Sequence, residues 1–261
     1  MNAFRLAWHH FRVAAMYELQ YRLNFFVQLI HSALALLTGL VAIALVFSYV
    51  QTLNGWTAPE LLAVMGVHIL LSGFLRSFVI PNMQDMMRQV QDGEFDFVLV
   101  KPVDALLLVS IRRVQVWQLV DVIVGVVVIV WAVIGMEQTM RWWQPLTFIV
   151  LLACGGIILY CLWVLITTTA FKWVRVEEIT QLMEGVYQTG RWPVAIYPSW
   201  LRYSLTFVIP LAFAITIPAS ALANRITPGV VALALVVTAI VAVATRAAWR
   251  YGLRWYSGAS A

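Results

Sequence analysis

"NFFVQLIHSALALLTGLVAIALVFSYV", residues 24–50, carries no Asp, Glu, Lys or Arg anywhere along its length. As a helix it would extend about 40 Å, more than the roughly 30 Å of a bilayer's hydrocarbon core. Its apolar residues run on without alternating, which excludes a barrel strand. The run predicts a membrane-spanning helix. Similar stretches follow it in a chain of 261 residues that is 62% hydrophobic and 11% charged, with a mean hydropathy of +0.87. Soluble domains carry about 25% charged residues. Bundled helices satisfy their own backbone in lipid, so the predicted class is an all-α integral membrane protein.

Outward from that run, the spacing of Phe4, Trp8, Phe11, Ala15 and Leu19, with Arg5, His9 and Arg12 alongside, predicts an interfacial helix over 3–22. A first apolar run this long, starting only near Asn24, does not fit the short core of a cleaved signal peptide. Further spans are expected at 61–80, 114–135 and 146–170, with a last one at 229–248. Lys and Arg gather before the first span, in 81–113, at Lys172 and Arg175, and from Arg246 to Arg254. The positive-inside rule places all four regions, and both termini, in the cytoplasm. That orientation requires an even number of spans.

The last third admits two topologies. Hydropathy favours a span at 203–222 and leaves 171–202 as a cytoplasmic loop. Yet "VEEITQLMEGVYQTGRWPVAIY", 176–197, also has helical spacing, with Gln181, Glu184 and Gln188 on a polar side. Such a helix can cross if that side meets protein or water. Residues 199–222, broken by Pro210 and Pro218, would then form a hairpin dipping in from outside.

Catalytic signatures are missing. No GxxxxGK[ST] surrounds Lys101 or Lys172, and there is no HExxH, CxxC or GxSxG. We expect no catalytic residue, cofactor site or metal site. Cys154 and Cys161 would stand about 10 Å apart along one helix, too far for a disulfide. His31 and His68 could meet inside the bundle, as packing or an interhelical hydrogen bond. The net charge of +5 rests on fifteen Arg and two Lys scattered at helix ends, which speaks for orientation in lipid and against nucleic-acid binding. Asp121, inside the third span, and Glu184 are the acids a proton relay or an interhelix contact would use.

Between the second and third spans lies "DGEFDFVLVKPVDA", 92–105. Five of the chain's twelve acids (Asp85, Asp92, Glu94, Asp96 and Asp104) fall within 81–113, beside Arg88 and Lys101. "NMQDMMRQVQ" should continue the second span as a polar helix, broken at Asp92-Gly93 and again at Lys101-Pro102. Phe95 and Phe97, expected to be exposed among charges, suit a docking surface. A solvated loop is the alternative.

The order of "DGEFDFVLVKPV" and "RWPVAIYPSWLRYSLTFVIPLAFAITIPA" (191–219) resembles the ABC-2 type transporter permeases, in particular their small six-span branch. The resemblance covers nearly the whole chain as one transmembrane domain, 1–261. It implies a permease subunit of an ATP-driven exporter in the bacterial cytoplasmic membrane. Two permeases, identical or paralogous, would pair with two ABC ATPase subunits that hold the ATP and magnesium. It further implies that Asp85, Arg88, Asp92, Glu94, Phe95, Asp96, Phe97 and Lys101 form the coupling element. Residues 176–197 would be the fifth span, with Asp121, Gln181, Glu184 and Gln188 at the path or an interface. Pro210 and Pro218 would lie at an outer gate. That topology sets Arg191, Arg202 and Arg225 against the positive-inside trend. The competing reading is an ion-coupled secondary transporter working through Asp121 and Glu184; neither an inverted repeat nor paired broken helices accompany it.

Overall fold

The computed structural model describes residues 22–136, 141–172 and 177–256. The expected interfacial helix over 3–22 lies outside the described residues, apart from Arg22. Among those described, five helices are long and apolar enough to span: α1, Leu23–Tyr49; α2, Ala58–Gln91; α5, Val116–Gly135; α6, Trp143–Phe171; and α10, Pro228–Trp255. Short helices fill the intervals: α3, Asp96–Leu99, and α4, Ala105–Ser110, then α7, Glu177–Gln188, and a bent pair, α8, Ser199–Val208, and α9, Ala212–Leu222. The protein is an all-α integral membrane protein.

α2 is the axis of the molecule. Thr57 and Glu60 start it, the Thr57 N–H donating to Glu60 Oε2 at 2.8 Å. One wide turn at Leu75–Val79 keeps it continuous into the polar Ile80–Gln91 stretch. A helix as apolar as its neighbours has no hydrophobic drive to join them within lipid, so close backbone packing must hold the pair. Glycines provide it. A Cβ on Gly125 of α5 would sit 2.5 Å from the Leu70 nitrogen, and one on Gly73 would sit 2.6 Å from that of Val122. α6 and α9 close the core around Ile158, Leu159, Trp163, Phe213 and Ile215, all buried. α1 lies at the periphery, with Leu34, Leu37 and Val41 exposed.

The last third differs from a single straight helix over 176–197. α7 covers twelve residues, about 18 Å, and 3₁₀ turns at Thr189–Arg191 and Val194–Ile196 carry the chain onward. Pro193, with no N–H to give, prevents a longer helix. Still, 177–196 runs the length of the bundle. Thr180 and Glu184 share a recess with Gln84 and Arg88 of α2. The Tyr187 hydroxyl donates to the His68 carbonyl, 2.7 Å. The Ala195 carbonyl accepts from Asn54, 3.0 Å, in the turn between α1 and α2.

α8 and α9 meet at 79°, where Pro210 follows an extended Ile209 (ψ 91). Both ends of this pair lie at the end of the bundle occupied by residues 51–57. Before α8, Ala195 binds Asn54; after α9, Arg225 binds Glu60 Oε1 and Oε2 at 2.9 and 2.7 Å and the Gly55 carbonyl at 2.6 Å. Arg225 also covers the Trp56 ring, 5.1 Å from its centroid. Arg202 donates to the Ala195 and Tyr197 carbonyls, at 2.8 and 3.4 Å. These two arginines, which fit the charge rule poorly, thus have fixed local partners.

Candidate functional site

The polar end of α2 leads into a helical corner. Asp92 ends α2, and Gly93 turns the chain at φ 73°, a conformation that favours glycine. The Phe95 N–H then returns to the Gln89 carbonyl, 3.0 Å. α3 follows, and Asp104 caps α4 by accepting from the Leu107 N–H at 3.1 Å.

The expectation that Phe95 is exposed is wrong. Its relative exposure is 0%, because the turn at Gly93 swings the ring inward among Phe171, Trp249 and Tyr256, with centroid separations of 5.4, 6.4 and 5.5 Å. Phe97, two positions on, is 71% exposed. The aromatic pair therefore divides its work: Phe95 fixes the corner to the ends of α6 and α10, and Phe97 faces away. Asp85 is also turned inward. It accepts from Arg113 at 2.6 Å and from Gln89 at 2.6 Å, while Arg112 reaches Gln89 Oε1 at 2.7 Å. Asn82 joins the same corner through the Arg113 backbone, with bonds of 2.7 and 2.8 Å.

Asp104 ties the corner to α10 through a two-pronged pair with Arg246, one prong being Nη1 to Oδ1 at 3.0 Å. Hydrogen bonding from Arg246 holds the Asp104 carboxyl down at about 2. What remains outward is Arg88, Asp92, Glu94, Phe97, Leu99, Val100 and Lys101, with Asp96 half-buried. An open cleft of about 360 Å³ lies between Arg88, Asp92, Phe97, Lys101 and Arg112. The outward set is an apolar strip within alternating charge.

A second polar site lies inside the bundle. A cavity of about 60 Å³ is lined by His31 and Ser32 of α1, His68, Ser72 and Arg76 of α2, Asp121 of α5, and Gln188 and Arg191 beyond them. Asp121 is 6% exposed. One of its oxygens accepts from Gln28 Nε2 at 3.1 Å and the other from the Ser32 hydroxyl. His68 stacks on Tyr187 at 4.6 Å.

The polar residues foreseen on 176–197 thus part company. Gln188 joins Asp121 in the cavity, whereas Gln181 and Glu184 line the separate recess of about 200 Å³ at the Arg88 end. Asp121 and Glu184 therefore line different recesses. Pro210 and Pro218 are buried at the bend and within α9. Among the described residues no three His, Cys, Asp or Glu side chains gather closely enough to hold a metal ion. Sequence reasoning did not connect Gln28, Ser32 and Arg191 with Asp121. The available signal was spacing: Gln28, Ser32 and Ala35 repeat at helical intervals on one face of α1.

A family model described as ABC-2 family transporter protein matches residues 33–260. No curated protein and no solved structure matches the chain.

Proposed function

We propose that this chain, which belongs to the ABC-2 family of transporter proteins, is the permease subunit of an ATP-driven exporter. It works in the bacterial cytoplasmic membrane, with both termini in the cytoplasm, as one of two permeases served by two ATPase subunits. ATP and magnesium bind on those partner subunits, where they supply the energy of hydrolysis.

One observation carries the reading: α2 is unbroken over 34 residues and ends in a corner with one locked face and one open face. Closure of the ATPase pair pushes on the open face, at Phe97, Leu99, Val100 and Lys101. Phe95, Asp85 and Asp104 keep the corner from yielding, so the push passes to α2, α6 and α10 together. α1, α2 and residues 177–196 line a path between the two permeases, and the α8–α9 hairpin, dipping from the outer end, closes it. The rigid link matters because a flexible loop would absorb the displacement.

The test is purification of the tagged protein from native membranes in mild detergent, with mass spectrometry of what accompanies it. A stoichiometric ATP-binding subunit is expected, and it should be lost when Phe97, Val100 and Lys101 are replaced by Ala, Ser and Gln. Arrival of the protein alone and in full yield would overturn the reading. A second permease in the same eluate would make the pair heteromeric.

A further inference from the structure

Five arginines at the ends of the bundle have fixed partners: Arg112, Arg113 and Arg246 in the corner, Arg202 and Arg225 at the opposite end. Arg76 and Arg191 differ. Both line the cavity beside Asp121, and among the described residues no hydrogen bond or ion pair falls on either. Arg191 is also deep. Its neighbour Gly190 packs against His68, where an added Cβ would be 3.7 Å from Cδ2, and His68 stands about 15 Å into α2 from Ala58. At that depth Arg191 is exposed, so the chain itself does not cover it.

An arginine at mid-bilayer needs an anion, a water-filled space or both. Asp121 does not supply the anion for two. Its oxygens accept from Gln28 and Ser32 and it forms no ion pair with either arginine, and the formal charge of the lining is +2 from Arg76 and Arg191 less 1 from Asp121, leaving +1. The cavity is rich in donors besides. His68, 3% exposed, has no partner for Nε2, and Ser72 and Gln188 face the same space. Asp121 is the sole described acid lining this cavity. Glu60 is held by Arg225, and Glu184 lies in the other recess.

We propose that this cavity binds the anionic group, phosphate or carboxylate, of an amphiphile. Arg191 makes the principal contact and Arg76 the second. Leu36 and Met65 on the same wall meet the start of the apolar tail. Binding stands on the geometry of this chain alone. The assignment of the amphiphile as cargo, rather than as a resident membrane lipid, rests on the transport reading.

The probe is radiolabelled dioctanoylphosphatidylglycerol, with dioctanoylphosphatidylcholine as its zwitterionic counterpart, in equilibrium binding to the protein purified in a maltoside detergent. Saturable binding of the anionic probe is expected. Arg191→Gln should weaken it about ten- to a hundredfold, the range for a charge-assisted hydrogen bond. Arg191→Lys keeps the charge and should fall between, Arg76→Gln should cost less, and Arg250→Gln at the aqueous end of α10 should match wild type. Size-exclusion profiles confirm that each variant is folded, and Arg191→Lys carries the test if Arg191→Gln is not.

Equal binding of the zwitterionic probe, or wild-type binding by Arg191→Gln, overturns the proposal. The co-purified complex in phosphatidylcholine vesicles distinguishes the two sources. ATP-dependent movement of the anionic probe makes it cargo. Binding without movement, while ATP is hydrolysed, leaves the site standing as a lipid site and removes the cargo assignment.

Discussion

Replacing Phe95 and Phe97 separately by Ala should give opposite results, although the two lie two residues apart. Phe95 is fully buried among three aromatic rings. Truncating such a side chain costs about 3–5 kcal/mol, and much of that cost falls on the corner, since the ring is what attaches 92–99 to α6 and α10. At roughly 1.4 kcal/mol per tenfold, opening of the corner should become more than a hundredfold easier. Phe97, at 71% exposure, has little packing to lose, and its truncation should stay within about 0.5 kcal/mol.

Hydrogen exchange with mass spectrometry reads this directly on peptides covering 92–104, because opening frees the amides of Phe95, Val98 and Leu99, whose acceptors are Gln89 and Phe95. Phe95→Ala should accelerate exchange there by two orders of magnitude or more. Phe97→Ala should leave exchange unchanged and yet remove the ATP-binding partner from the purified complex. If Phe95→Ala exchanged within twofold of wild type, the ring would not be the attachment that the packing implies. If Phe97→Ala accelerated exchange as much as Phe95→Ala, the division between a locked and an open face would fail.

Two more predictions follow from the packing and the charges. Gly125→Ala should lower folded yield and melting temperature, because its Cβ would meet the Leu70 backbone at 2.5 Å; overpacking of this kind costs about 1–3 kcal/mol. Gly135→Ala, whose Cβ would meet Pro59 at an ordinary 3.5 Å, should not, and fluorescence-detected size exclusion of heated samples compares the two. Asp104 has a folded value near 2, below the ordinary carboxylate range, so its contribution is full above about pH 4 and disappears as pH falls through about 2. The pair is partly exposed, so Asp104→Asn, which keeps a capping side chain, should cost only about 0–1 kcal/mol at neutral pH. A melting difference between wild type and Asp104→Asn that grew on acidification would contradict this.

The spans were legible because hydropathy is a property of each segment alone. α1, α2, α5, α6 and α10 need no knowledge of one another to be found. The Asp92-Gly93 break was legible for the same reason, since a left-handed turn asks for glycine locally. Which of two nearby aromatics is buried is a different kind of question. Phe95 turns inward only because Phe171, Trp249 and Tyr256, remote in sequence, converge where Gly93 aims it. Composition around residues 92–105 holds no trace of that convergence.

Charge was misread for a related reason. Counting arginines by loop made Arg202 and Arg225 objections to a hairpin returning to the end occupied by residues 51–57. The count treats each charge as free. Arg225 is bound to buried Glu60, which also caps α2, so the two charges are nearly one neutral unit and carry little weight in orientation. Arg202 spends its donors on carbonyls of the turn before α8. The same accounting, applied inside the bundle, gives the opposite result for Arg191: it has depth, exposure and no partner among the described residues. Local pairing, not the number of positive residues, therefore decides which arginines merely close a loop and which leave a charge for a ligand to answer.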